Sequence, residues 1–96
     1  MAYRLTKRAR ADVLNLWCRI AEDSEQAADR LVISLTHHFR LLGEMPHVGR
    51  QRDEIRPGYR SFPTGEYLIL YRAAMPGAQI MHVVHGRMDF QSYPFD

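Results

Sequence analysis

Between Leu42 and Tyr59 the spacing of apolar residues changes from the three-and-four of a helix to the two of a strand, and this switch decides which elements the chain can form and in what order. Upstream of it, Ala9, Val13, Leu16, Trp17, Ile20 and Ala21 fall on one helical face, with Arg8, Asp12, Asn15, Arg19 and Glu22 mostly on the other. The pattern predicts an amphipathic helix starting at Lys7, with Thr6 as its N-cap and Tyr3 to Leu5 as a brief strand before it. A second helix restarts at Asp23 or Ser24, carries Glu25 in its first turn, and repeats Ala28, Leu31, Leu35, Phe39 and Leu42 up to Gly43, which stands at a C-cap position. So short a connection makes the pair an antiparallel hairpin.

Gly43 to Glu54 holds no period and contains Pro46 and Gly49, so it reads as a loop. Tyr59 to Thr64 then reads as a strand whose Pro63 requires an edge or a bulge. Gly65-Glu66 makes a tight turn into Tyr67–Ala73, and Met75-Pro76-Gly77-Ala78 turns the chain into Gln79–His85. The expected fold is α+β in one domain spanning residues 1–96: an N-terminal strand, an antiparallel helical hairpin, then a three-strand antiparallel meander. The hairpin can cover one face of the sheet, whereas the last two strands are apolar on both. Some other element, or a partner, must cover the second face.

Composition narrows the function classes. With 46% apolar and 25% charged residues, the 96-residue chain is an ordinary globular domain. No apolar run approaches the roughly 20 residues that span a bilayer. The opening MAYRLTKRAR lacks the apolar stretch of a secretory signal, so a cytoplasmic location is expected. The single Cys18 cannot form an internal disulfide, and beside Trp17 on a helical pattern it reads as a small core filler. Thirteen basic residues against eleven acidic ones give no strong field for nucleic acid, but twelve of the thirteen are Arg, whose planar fork matches carboxylates and phosphates.

The sequence offers no metal or cofactor site. His82 and His85, three apart on a strand, point to opposite faces; His37 and His38 are adjacent on a helix. A nucleophile elbow and a glycine-rich phosphate loop are both missing. Metal-free cleavage of RNA by its own 2′-hydroxyl needs a base, an acid and cations for the phosphorane, and His85, Arg87, Arg60 and Tyr93 are of the right types. The same residues also have a bland reading, with His85 bonded at a strand end, Arg87 paired to Asp89, and Tyr93 packed on the sheet. Likewise Arg50, Arg52, Arg56 and Arg60, set around Asp53 and Glu54, form either a solvated loop or a grip on an acidic peptide or phosphate backbone.

From YRLTKRARADVLNLW to VVHGRMDF, the chain resembles the toxin half of bacterial toxin–antitoxin modules, the RelE/ParE superfamily, and its ParE branch of plasmid-stabilisation type in particular. The most specific stretches are GEMPHVGRQRDEIRPGYRSFPTGEYLILYR and the closing V-x-H-G. The resemblance implies a helical hairpin against a compact sheet, no cofactor, and a cognate antitoxin whose disordered, often acidic tail folds across the toxin; DNA is then contacted only through the antitoxin. Antitoxin contact is expected at Arg52, Arg56 and Arg60 and at Tyr67, Ile69 and Tyr71 of the sheet.

Within the superfamily, ParE-type members poison DNA gyrase and RelE-type members cut messenger RNA in the ribosome. Arg87 and Tyr93 reproduce the arginine-to-tyrosine spacing of the RNA-cutting type. The other cations of that type are missing, because Leu68 follows the tyrosine opening the YLILY strand and Ser61, Phe62 and Pro63 stand where lysines are needed. The resemblance therefore implies a non-catalytic gyrase inhibitor with no catalytic residues, contacting its target through His85, Arg87 and Tyr93. The alternatives are a ribosome-dependent endoribonuclease using Arg60, His85, Arg87 and Tyr93, and an attenuated relative that still binds antitoxin. One departure is the order H-G-R-M-D in place of H-G-x-R-D, which in a strand would send the arginine to the opposite face.

Overall fold

In the computed structural model, which describes residues 2–89, the chain runs as β1 (Tyr3–Leu5), α1 (Lys7–Ala21), α2 (Glu25–Glu44), β2 (Arg50–Gln51), β3 (Tyr59–Thr64), β4 (Tyr67–Ala73) and β5 (Ala78–His85). The strands form one sheet in the order β1-β5-β4-β3-β2, antiparallel except for the parallel pair β1 and β5. The expected α+β order of strand, hairpin and meander is what the chain adopts. Thr6 marks the transition from β1 to α1: its Oγ1 accepts the Ala9 amide at 3.0 Å and donates to the Met81 carbonyl at 3.2 Å. Ser24 caps α2 in the same way through the Ala27 amide, at 3.1 Å. The Trp17 indole Nε1 donates to Asp29 at 2.8 Å and sets the register of the antiparallel hairpin.

The apolar helical faces meet the sheet in one core, where Ala9, Leu16, Leu35, Phe39 and Leu42 pack on Ile69, Tyr71, Ala78, Ile80 and Val83. The other sheet face is closed from within the chain. Tyr59, Leu70 and Val84 are buried there, with Ile55 from the arginine-rich loop and Met88 from beyond β5 packed over them beside Leu68 and Met81. The apolar area expected to need cover is thus taken up by two intramolecular elements. A bulge between Leu70 and Tyr71, where Leu70 pairs with His82 and Tyr71 with Ile80, sets Met81 off the ladder. His82 remains on the second face and His85, opposite Tyr67, on the first, so the two histidines do point apart.

Several local expectations are corrected. Helix α2 passes through Gly43 to Glu44, and the glycine is needed for closeness: a Cβ there would lie 2.8 Å from the Ala2 carbonyl oxygen. Cys18 is exposed, because the helix turns Leu16 inward and Trp17 toward α2. Asp12 does not face open solvent; it accepts the Val83 amide of β5 at 3.0 Å. The loop after α2 contains β2, two residues paired with Ser61 and Arg60 of β3. Because β2 is so short, Pro63 lies past its reach, on a stretch of β3 bonded along one side only.

Candidate functional site

Charged and aromatic side chains gather at two opposite ends of β4. At one end, residues 47–58 fold back beside Tyr59 and Arg60. Arg52 donates from its amide to the Tyr59 carbonyl at 2.8 Å and from Nε to Ser61 Oγ at 2.9 Å, and pairs with Glu54 at 3.3 Å. Its own backbone amide, ahead of Arg52, holds the Glu54 carboxyl below the usual range. Asp53 accepts the Gly58 amide at 2.9 Å and closes the turn. Arg60 donates from Nη1 to the carbonyls of His47 and Gly49, at 3.1 and 2.8 Å. The amide of Gly49 in turn donates to the Tyr71 hydroxyl at 2.8 Å. Burial pushes the Tyr71 phenol up, opposed by that amide and by the Arg60 charge.

At the other end, Tyr67 and His85 are cross-strand partners with ring centroids 5.5 Å apart and planes at 76°. The Gly86 amide donates to the Glu66 carbonyl at 2.8 Å, so the chain leaves the sheet tightly tied to the β3–β4 turn. Arg87 is exposed in the following turn, and its amide donates to Nδ1 of His85 at 3.1 Å. With Nδ1 accepting, the neutral ring carries its proton on Nε2.

These placements separate residues that the sequence could not. In the cross-strand register Arg60 faces Tyr71 while His85 faces Tyr67, four residues away along β4. At about 3.3 Å per residue and about 4.8 Å per strand, Arg60 and His85 are roughly 13 Å apart along the strands and two strands apart across them. The four-residue set considered for RNA cleavage is therefore not assembled: His85 and Arg87 are together, Arg60 is at the far end, and Tyr93 lies outside the described residues. Arg87 has left the strand, so the exchange with Met88 does not flip it between sheet faces; it places Met88 inward on the second core and Arg87 outward.

Two of the residues expected to meet an antitoxin are corrected by their burial. Ile69 and Tyr71 have no exposed surface, since both point from β4 into the main core under the helices. Arg52 and Arg60 act first as braces of the 47–58 loop, Arg56 is exposed, and Tyr67 is half-buried. Arg72 went unnoticed in the sequence because it ends an apolar strand; it is exposed, and it lines a recess with His47, Gln51, Asp53 and Arg60. Among the described residues no cluster of three His, Cys, Asp or Glu side chains could hold a metal ion, and no helix is long and apolar enough to cross a membrane.

Residues 3–90 match the family model described as ParE toxin of type II toxin-antitoxin system, parDE. The chain belongs to the ParE toxin family. Its relatives include Toxin ParE1 of Mycobacterium tuberculosis, 33% identical over 89 residues that cover 91% of each chain. Toxin ParE1 of Caulobacter vibrioides is 30% identical over 93 residues, 95% of each chain. Among solved structures, a chain of the chromosomal ParDE TA system from P. aeruginosa superposes with a TM-score of 0.74, covering 88% of this chain and 95% of its own, at 18% identity. At that identity the match establishes the shared fold of this ParE family member with the ParDE chain.

Proposed function

We propose that this ParE-family chain is neutralised by a cognate antitoxin and acts in the cytoplasm by docking on DNA gyrase, without turnover of its own. The observation that carries the non-catalytic part is the separation of Arg60 from His85 and Arg87 along and across the sheet. A pentavalent phosphorane needs its base, acid and cations within contact of one phosphate, and removing a single positioned charge commonly costs about 3–4 kcal/mol of barrier. His85 accepts the Arg87 amide at Nδ1, which keeps it at the Arg87 end of the sheet. The tip formed by the half-buried His85 and the exposed Arg87, continued in sequence by Tyr93, is assigned to target contact.

An antitoxin partner is supported by family membership and by the ParDE assembly named for the structural neighbour. The surface assigned to it is the arginine-bearing end of β2 and β3, with Arg56 exposed and Arg52 and Arg60 ordering the loop beneath.

The test is a supercoiling assay with purified gyrase, run beside in vitro translation with mapping of messenger RNA ends. Inhibited supercoiling with intact messages is the expected result. Codon-specific cuts that disappear in Tyr93→Phe would replace gyrase docking by the endoribonuclease reading. Inactivity in both assays, with tight antitoxin binding, would remove toxicity while leaving the pairing.

A further inference from the structure

The outer face of the helical hairpin, turned away from the sheet, carries two large apolar side chains. Leu14 of α1 and Ile33 of α2 are 61% and 68% exposed, whereas Ala9, Leu16, Ala28, Leu35 and Phe39 take the sheet-facing sides of the helices. The bond from Trp17 to Asp29 fixes the antiparallel register. One turn back along α1 and one turn on along α2 from that pair stand Leu14 and Ile33, side by side. They make one patch rather than two scattered residues.

The charge on this face changes sign about the patch. On α1, Lys7 stands seven residues before Leu14 and Glu22 eight after it; on α2, Glu25 stands eight residues before Ile33 and Arg40 seven after it. At about 1.5 Å per residue, each charge lies about 10–12 Å from the patch. Because the helices run antiparallel, both acids are at the hairpin tip and both cations at its open end. All four are exposed, and none has an ion pair or side-chain hydrogen bond among the described residues. Arg30, in the acidic half, opposes this pattern but sits within a turn of Ile33, close to the centre.

We infer that the outer face of the hairpin takes a second copy of this chain, α1 lying antiparallel on α1 and α2 on α2, with Leu14 and Ile33 at a two-fold axis that runs across both helices. Such an axis sets Lys7 over Glu22 of the second copy and Arg40 over Glu25 of the second copy, and makes each pair twice. An axis along the helices would instead set acidic tip on acidic tip, which the same charges disfavour. A partner of uniform charge, such as an acidic peptide or a nucleic acid, meets repulsion over one half of the face. Two helices of about 10 Å width and about 22 Å common length bury roughly 900 Å² in such a dimer, below the ~1,200 Å² of a stable interface. The dimer is therefore weak, forming at roughly tens of micromolar and above. It leaves both sheets, with the residues assigned to antitoxin and target, facing outward.

The experiment is sedimentation of the full-length chain from about 5 to 500 μM, at low and high salt. Its mean mass is expected to rise from one copy toward two across that range, and to rise less at high salt. Ile33→Asp, at a largely exposed position, should keep the parent's melting temperature and associate about tenfold or more weakly. Lys7→Glu should weaken association about fivefold or more while suiting the dipole at the start of α1, so that its loss cannot be laid to unfolding. Adding Glu22→Lys should restore association, since each reversed pair is again opposite in sign. A mass of one copy throughout overturns the inference, as does association that Ile33→Asp leaves unchanged. A double variant no stronger than Lys7→Glu alone overturns the antiparallel arrangement. Loss of antitoxin binding in Ile33→Asp, with the parent chain monomeric, overturns it too and assigns the face to the antitoxin. None of these outcomes bears on the supercoiling assay, so the gyrase reading stands or falls separately.

Discussion

Asp12 of α1 accepts the backbone amide of Val83 in β5 at 3.0 Å, at the place on the sheet edge that β1 vacates after Leu5. The other carboxylate oxygen is held by Arg8, one helical turn earlier, at 3.3 Å, and the first lies 4.0 Å from Nδ1 of the buried His82. A helix side chain therefore supplies an acceptor on this edge beyond the end of β1. Asp12→Ala should lower the unfolding free energy by about 1–3 kcal/mol by leaving the Val83 amide unsatisfied. Asp12→Asn, which keeps an acceptor oxygen, should lose less. Urea denaturation of the two variants makes the comparison, and equal losses would mean that the charge rather than the hydrogen bond matters.

The Tyr71 hydroxyl is the buried acceptor for Gly49, so its removal acts on the loop as well as on the core. Tyr71→Phe keeps the ring and strands the amide, for an expected loss of about 1–3 kcal/mol. Gly49→Ala is the more damaging change, since a Cβ there would sit 2.8 Å from the Ser61 carbonyl oxygen and collide with the Tyr71 ring. Thermal melts of both variants should rank them in that order.

Arg60 supplies a cleaner separation of bracing from binding. Arg60→Ala removes two bonds to carbonyls at 3.1 and 2.8 Å and should cost about 1–2 kcal/mol in chemical denaturation, with faster amide exchange over residues 47–51. A variant of unchanged stability and exchange would show that the loop is held by other contacts.

His38 joins α2 to the sheet: its Nδ1 lies 2.9 Å from Thr64 Oγ1 and its ring 5.2 Å from that of Phe62. Burial first, and then the neighbouring His37, lowers its pKa below 6.5. A lowered value means that the unfolded chain takes up the proton first. The contribution to stability is thus complete above about pH 6.5 and declines as pH falls from there through the folded-state pKa. Melting temperatures of the parent chain should drop across that window, and His38→Gln should flatten the drop. A parallel drop in the variant would assign the pH dependence to other groups.

The long amphipathic elements were legible because each buries a stripe set by its own period, as with Ala28, Leu35 and Phe39 on α2 or Ile69 and Tyr71 on β4. The same alternation misled at the site. Ile69 and Tyr71 lie on β4, the middle strand, whose sequence is apolar on both faces, and only the helices' placement shows that they face the main core. Strand β2 is two residues long, too short for any period to mark it. The brace formed by Arg52 and Arg60 depends on where backbone carbonyls of another loop arrive, which sequence spacing does not carry. His82 and His85 were read correctly because the bulge at Met81 lies before both of them and the strand alternates without interruption from one to the other.

Ile55 lies in the middle of the arginine-rich loop, with its side chain in the second core and the exposed Asp53, Glu54 and Arg56 around it. Anchor and display are therefore interleaved residue by residue within one turn of chain. The displayed positions can therefore change without disturbing the second core, whereas a change at Ile55 alters the anchor and the surface together.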